Sequence, residues 1–143
     1  MQEILTISTT RRQELIDITR QVESAVRRSG TSRGVCFLFA QGATAGIMIQ
    51  ENWDQSVQND VITLLSRMAP QGVWEHDRQD GNGDAHLKSG LVGPSEHIPI
   101  IPESGVAGNN GGKLGLSTWQ NIFFCEFDGP RSERHIVITI IPA

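Results

Sequence analysis

The sequence reads as an α+β fold, two main helices packed on a largely antiparallel sheet in a sandwich-like arrangement. Three observations predict it. Apolar residues recur at helical spacing in two separate stretches, one carrying Leu15, Ile18, Val22, Ala25 and Val26, the other Val57, Val61, Leu64, Leu65 and Met68. Short runs rich in Val, Ile and Phe ("EILTIST", "GVCFLFA", "GIMIQ", "EHIPII", "KLGLSTWQNIFFCEF", "RHIVITII") read as strands. The last two runs are joined by the turn "DGPRSE", and so many strands beside two helices point to the α+β class.

In chain order, "EILTIST" alternates and predicts a strand. "TRRQELIDITRQVESAVRRSG" predicts the first helix, with a capping box from Thr10 to Gln13 at its start and Gly30 as its stop. "GVCFLFA" is a buried strand and "GIMIQ" a second. Asp54 caps the next helix, which ends before Pro70. A third helix is expected to start near Ala85, with Asp84 as a candidate N-cap. The strands of the C-terminal half follow, interrupted by a long glycine-rich loop, "PESGVAGNNGG".

At 143 residues the chain is expected to form a single domain, residues 1–143, without repeats or a splitting linker. A chain of this length buries about 68% of the surface it exposes when unfolded, so its core needs neither disulfide nor metal. A formal charge of −4 and a pI near 5.5 argue against a nucleic-acid or anionic-membrane partner. Cys36 and Cys125 sit in apolar runs and read as buried small hydrophobes in a reducing compartment. The first residues are too polar for a signal peptide, and no apolar run approaches the roughly 20 residues of a membrane span. The expected location is cytoplasmic.

Several familiar chemistries fail on their own spacing. "DGNGDA" opens like a calcium loop, but position six is Ala85 where glycine is needed and position twelve is Leu91 where a glutamate is needed. "AGNNGGKL" approaches a phosphate loop, yet its first glycine is shifted by one and Leu114 stands where the magnesium-binding hydroxyl belongs. No serine lies in a nucleophile elbow and neither cysteine carries a catalytic signature.

What remains is polar residues beside apolar runs. Gln50, Glu51 and Asn52 lie between a buried strand and a helix cap, and His76, Asp84 and His86 flank a glycine-rich turn. Neutral imidazoles suit zinc, a carboxylate can orient one of them, and a helix start near Ala85 favours an anion. Each residue has a plainer reading: Asp84 as a helix cap, His76 packed beside Trp74, Glu51 in an ion pair, Gln120 at a strand edge. His97 and His135, at alternating strand positions, read as surface or interface residues.

The strings "FAQGATAGIMIQENWD", "EHDRQDGNGDAHLKSGLVGPS", "IPII" and "LSTWQNIFFCEFDGPR", followed by a valine- and isoleucine-rich last strand, resemble the YjbQ family in sequence and order. The resemblance spans roughly residues 34 to 141. It implies an α+β sandwich assembled as a homotrimer, with polar clefts near subunit boundaries. It also implies a secondary thiamine-phosphate synthase activity, joining a pyrimidine pyrophosphate to a thiazole phosphate with release of pyrophosphate. The family's polar set falls here on Glu51, Asn52, His76, Asp84, His86, Lys88 and Gln120. On that resemblance His76 and His86 are metal ligands or proton carriers, for zinc or magnesium, and Asp84 orients one of them. Glu51 is a general base or a metal-linked acceptor, Asn52 and Lys88 meet a phosphorylated metabolite, and Gln120 fixes a substrate edge.

One departure stands out. Relatives carry a His-Thr pair where this chain has Gly42 and Ala43, so a third imidazole is missing. Gly42 is expected to face the cleft holding His76 and His86, with Asp84 and Glu51 within one side-chain shell of both. Two functions follow: a metal-assisted transferase of the thiamine-phosphate synthase type, or a non-catalytic trimer that binds a metal or a phosphate-bearing metabolite.

Overall fold

The computed structural model describes residues 1–103 and 111–143, so most of the expected glycine-rich loop lies outside the described residues. Eight strands form two sheets. Strands β1 (Gln2–Ile7), β8 (Arg134–Pro142), β3 (Gly34–Gln41), β5 (Ser95–Pro102) and β6 (Gly112–Leu114) make a five-stranded sheet in that order. Strands β2 (Glu14–Asp17), β7 (Gln120–Glu126) and β4 (Ala45–Glu51) make a three-stranded one. Every pairing is antiparallel. The helices are α1 (Thr19–Ser29), α2 (Gln55–Met68) and α3 (Gly83–Val92), with a short 3-10 turn at Glu75–Arg78 before the last. None is long and apolar enough to cross a membrane.

Burial explains the layering. The main core joins alternate residues of β3 and β8 (Cys36, Leu38, Ile136, Ile138, Ile140) to the inner face of the small sheet (Ile47, Ile122, Phe124) and to Val22, Ala25 and Val26 of α1. The other face of the small sheet offers Phe123 and Cys125, which pack with Leu65 of α2 and Ala85 of α3. β7 is thus covered on both faces, which is why "IFFCEF" reads as an unbroken apolar run and not an alternating one. Cys36 and Cys125 are free, lie in different sheets, and have their thiols pushed up to about 12 by burial, so neither is poised to react.

The first helix departs from expectation. Glu14–Asp17 is a strand, and α1 begins only at Thr19. Leu15 packs into the second cluster and Ile16 against the main core, the opposite-faces behaviour of a strand. The expected capping box does not form: the Glu14 carboxylate accepts from the Thr10 and Arg11 amides, while Gln13 turns inward to Lys88. Gly30 does close α1, in the left-handed conformation at φ 65°. Asp54 caps α2 by accepting from the Ser56 amide. The apolar stripe of α2 is only partly covered: Leu65 is buried, but Leu64 and Met68 are 58% and 55% exposed.

Candidate functional site

The two histidines meet. Asp77 accepts hydrogen bonds from the Trp74 amide (2.9 Å) and the Gly83 amide (2.8 Å), tying the 3-10 turn to the first turn of α3. Those two bonds hold its carboxyl below the usual carboxylate range. The approach requires glycine at 83, since a Cβ there would lie 2.8 Å from the Trp74 Cβ. The result is an edge-to-face pair of His76 and His86, ring centroids 4.7 Å apart. Asp80 lies 3.7 Å from His76 Nε2.

Asp84 and Lys88 are not beside them. Asp84 is an interior residue of the first turn of α3, not its cap, which is Asn82. Its carboxylate accepts two bonds from Arg12 (2.9 and 3.1 Å) and one from Lys88 Nζ (2.7 Å), and Lys88 Nζ also donates to Gln13 Oε1 at 2.8 Å. Burial by itself would raise the Asp84 carboxyl, but the bonds and charges of Arg12 and Lys88 outweigh it and hold it below the usual range. The reason is helical geometry. Residues four apart share a face, so Lys88 stacks over Asp84 toward the interior, whereas residues two apart do not, so His86 points away. Asp84 therefore orients no imidazole, and the ammonium of Lys88 is spent on internal partners instead of a phosphate.

Glu51, Asn52 and Gln120 lie elsewhere again. In the β4–β7 ribbon Glu51 pairs with Gln120 at one end and Ala45 with Glu126 at the other, six residues away. At about 3.3 Å per residue the two ends are about 20 Å apart. Helix α3 belongs to the Ala45 end: Asn82 bonds Asp128, and the Gly93 carbonyl accepts from the Ile47 amide. The expected single shell of His76, His86, Asp84 and Glu51 is thus divided within one chain.

At the Glu51 end lies a cavity of about 700 Å³, lined by Asn52 and Gln120 together with Asp17, Arg20, Lys113 and Asn121. Asp17 is its hub. One carboxylate oxygen accepts from the Thr19 amide (2.9 Å) and hydroxyl (2.6 Å), the other from the side-chain amides of Asn52 and Asn121 (2.8 Å for Asn121). Gln120 Oε1 accepts from the Ser117 amide at 2.9 Å, closing the turn before β7 beside the cavity it lines. A smaller hollow adjoins, walled by Trp53 and Trp119 with rings 5.4 Å apart at 84° and 79% and 53% exposed. Asp17, Asn121 and the two tryptophans escaped sequence reasoning. Asp17 was hidden inside a supposed helix, and "TWQN" drew attention to its glutamine alone.

Among the described residues no three His, Cys, Asp or Glu side chains gather as a metal site. Catalytic zinc takes three protein ligands, of which His76 and His86 supply two, and magnesium prefers oxygens. The donor set of one chain does not fit either ion. Gly42 does not complete it: a Cβ there would meet Arg134 Nη1 at 3.1 Å, and Arg134 is engaged with Glu126 and Thr44. His97 stacks on Phe37 across the outer face of the large sheet, and His135 lies 3.5 Å from Glu133.

Two antiparallel sheets backed by helices, with a polar cavity at one end of the small sheet and a histidine pair at the other, define a small α+β protein built around a concave polar site. The chain belongs to the YjbQ family: the UPF0047 protein YjbQ-like family model matches residues 3–143. It is 44% identical over 135 residues to the UPF0047 protein MJ1081 of Methanocaldococcus jannaschii, covering 94% of this chain and 90% of that one. It is 41% identical over 135 residues to the UPF0047 protein YugU of Bacillus subtilis, covering 92% and 93%. The crystal structure of a YbjQ-like protein from Sulfolobus solfataricus superposes with a TM-score of 0.89 at 36% identity, covering 100% of this chain and 97% of that chain.

Proposed function

We propose that the chain is a transferase of the thiamine-phosphate synthase type, working as a homotrimer at the Asp17–Asn52–Asn121 cavity. The thiazole nitrogen forms a bond to the methylene carbon of the pyrimidine pyrophosphate, the carbon–oxygen bond breaks, and pyrophosphate leaves with the electron pair. No base is needed for that displacement, so Glu51 need not act as one. What the step needs is alignment of two rings and neutralisation of the departing charge.

One observation supports the reading. The cavity, about 700 Å³, falls in the size range of small-molecule sites and carries two cations, Arg20 and Lys113. Asn52 and Gln120 stand on its wall as substrate contacts. Magnesium would enter as the counter-ion of the pyrophosphate substrate. The trimer is supported by the outer face of the large sheet, where Val35, Phe37, Phe39, Ile101 and Ile141 are each more than a third exposed, an apolar surface that free solvent disfavours.

A second reading, a binding protein without catalysis, is favoured by the enclosure of Asp84 and Lys88 and by the two-ligand histidine pair. Incubation of the purified protein with the pyrimidine pyrophosphate, thiazole phosphate and magnesium separates the two. Thiamine phosphate formed in proportion to protein, and lost in Arg20→Ala, supports the transferase. Ligand binding with no product supports the binder.

A further inference from the structure

The outer face of the large sheet differs from the rest of this acidic chain. Its strands alternate, so Leu38, Ile98 and Ile138 point into the core while Phe37, His97 and Val137 point outward. Among the described residues no Asp or Glu stands at an outward position of β1, β8, β3 or β5, although the chain has 16 of them. Glu3 lies opposite the buried Ile138 and pairs with Arg28 of α1, and Glu96 lies opposite the buried Leu38. Two of the four histidines do face outward, His97 and His135. His97 sits within the apolar patch, exposed, its ring nearly parallel to that of Phe37 at 9° with centroids 6.1 Å apart.

We infer that copies of this chain meet through this face and that His97 makes the contact acid-labile, closed at neutral pH and opened when its imidazole takes up a second proton. The inference rests on the trimer reading above and not on the transferase chemistry. A second copy is the occupant that the charges favour. Chains of net charge −4 repel one another, and a face without carboxylates is where they approach with least repulsion. A neutral imidazole can be enclosed beside Phe37, but an imidazolium enclosed there finds no acid to meet it. The neighbours of His97 on β3 (Val35, Phe37 and Phe39) are apolar, and Glu96 of its own strand faces the core side. Lys113 of β6, opposite Ile101, adds a second cation, and β4 meets β5 across the core through Ile47 and Ile98. His135 differs, because Glu133 lies 3.5 Å away and can answer its charge. His97 is therefore the switch.

Enclosure disfavours the protonated ring, so separated copies bind more protons than assembled ones. Assembly is then strongest at neutral pH and is lost as pH falls. Net charge alone gives the opposite sign: near the pI of 5.5 the repulsion between copies vanishes and association strengthens. Sedimentation of the full-length protein in a dilution series, at about pH 7.5 and about pH 5.5, reads which sign holds, with circular dichroism to follow folding. An ordinary imidazole kept neutral by the contact weakens association about ten-fold per chain across that interval, hence about a thousand-fold for three chains. A trimer's midpoint concentration follows the square root of that factor, so half-dissociation should occur at about 30-fold higher protein concentration at the lower pH. His97→Gln, neutral at both, should show a midpoint that does not move. His97→Lys, charged at both, should be monomeric at either. His135→Gln should keep the parent's response.

A parent that is trimeric with an unmoved midpoint, or that associates more tightly in acid, overturns the inference and leaves the trimer standing. So does an acid response that survives in His97→Gln, or a His97→Lys variant that remains trimeric. A parent that is monomeric at neutral pH removes the trimer reading and the inference together, and leaves the face to a partner other than this chain. Should the chain unfold in acid, the two His97 variants decide at neutral pH: trimer for His97→Gln and monomer for His97→Lys supports the inference, and the same state for both overturns it.

Discussion

Replacing Lys88 distinguishes a structural ion cluster from a substrate-binding lysine. Lys88 and Asp84 are fully enclosed, and among the described residues the polar partners of their side chains are each other, Arg12 and Gln13. Asp84→Asn removes the single negative charge that faces two cations, and stranding one partner of a buried pair costs about 3–5 kcal/mol. The lower end, about 3 kcal/mol, applies here because Arg12 is about one-third exposed and can turn toward water. Lys88→Met leaves Asp84 held by both Arg12 nitrogens and should cost less, about 1–3 kcal/mol. The double variant should be less destabilised than the sum by at least about 1 kcal/mol, because neither buried charge then remains. Urea unfolding at one fixed protein concentration measures all three. Acid titration adds a sign. The Asp84 carboxyl is held below its ordinary value, so its contribution is present above about pH 4 and is lost as pH falls through the folded pKa. Asp84→Asn should flatten that acid limb. If Lys88→Met unfolds at the parent's urea concentration yet loses ligand affinity, Lys88 reaches substrate and the enclosed cluster is wrong.

Glu126 is the second buried carboxylate; burial alone would raise it, but bonds from Arg134, the Asp128 amide and Thr9 together with the Arg134 charge hold it low. Arg134→Met should cost about 3 kcal/mol at neutral pH, and its deficit should shrink as pH falls below about 5, where the stranded carboxyl can protonate; a pH-independent deficit in urea would contradict this. Gly42→His should not tighten zinc binding and should destabilise by about 1–3 kcal/mol, because its side chain must displace Arg134; zinc titration with a gain in affinity would show that position 42 faces the histidines. Light scattering should give about three times the 15.7 kDa chain mass, and Phe37→Lys, on the apolar outer sheet face, should give monomer; a monomeric parent at micromolar concentration removes the trimer.

The α+β class, every described strand but β2 (with β6 and β7 merged in one run) and the caps at Asp54 and Gly30 were legible because each depends on local chemistry: alternation, an Asx cap, a glycine in the left-handed region. β2 was not. Leu15, Ile18 and Val22 fit one helical face as well as they fit a strand followed by a helix, and only pairing with β7, more than 100 residues later, decides between them. The convergence of His76 and His86 was legible from the glycine-rich turn between them. The roles of Asp84 and Lys88 were not, because a two-residue spacing means proximity in a loop and opposite faces in a helix. The cavity hub was hidden for the same kind of reason. Asp17, Asn52 and Asn121 come from three distant segments and meet only because β2, β4 and β7 form one sheet.

The crystal structure of the protein grown with an aminopyrimidine phosphate tests the central claim most directly. Ring density in the cavity lined by Asp17, Asn52 and Asn121, with the phosphate between Arg20 and Lys113, is the expected result. Density at the His76–His86 pair, with the Asp17 cavity holding only water, would contradict it.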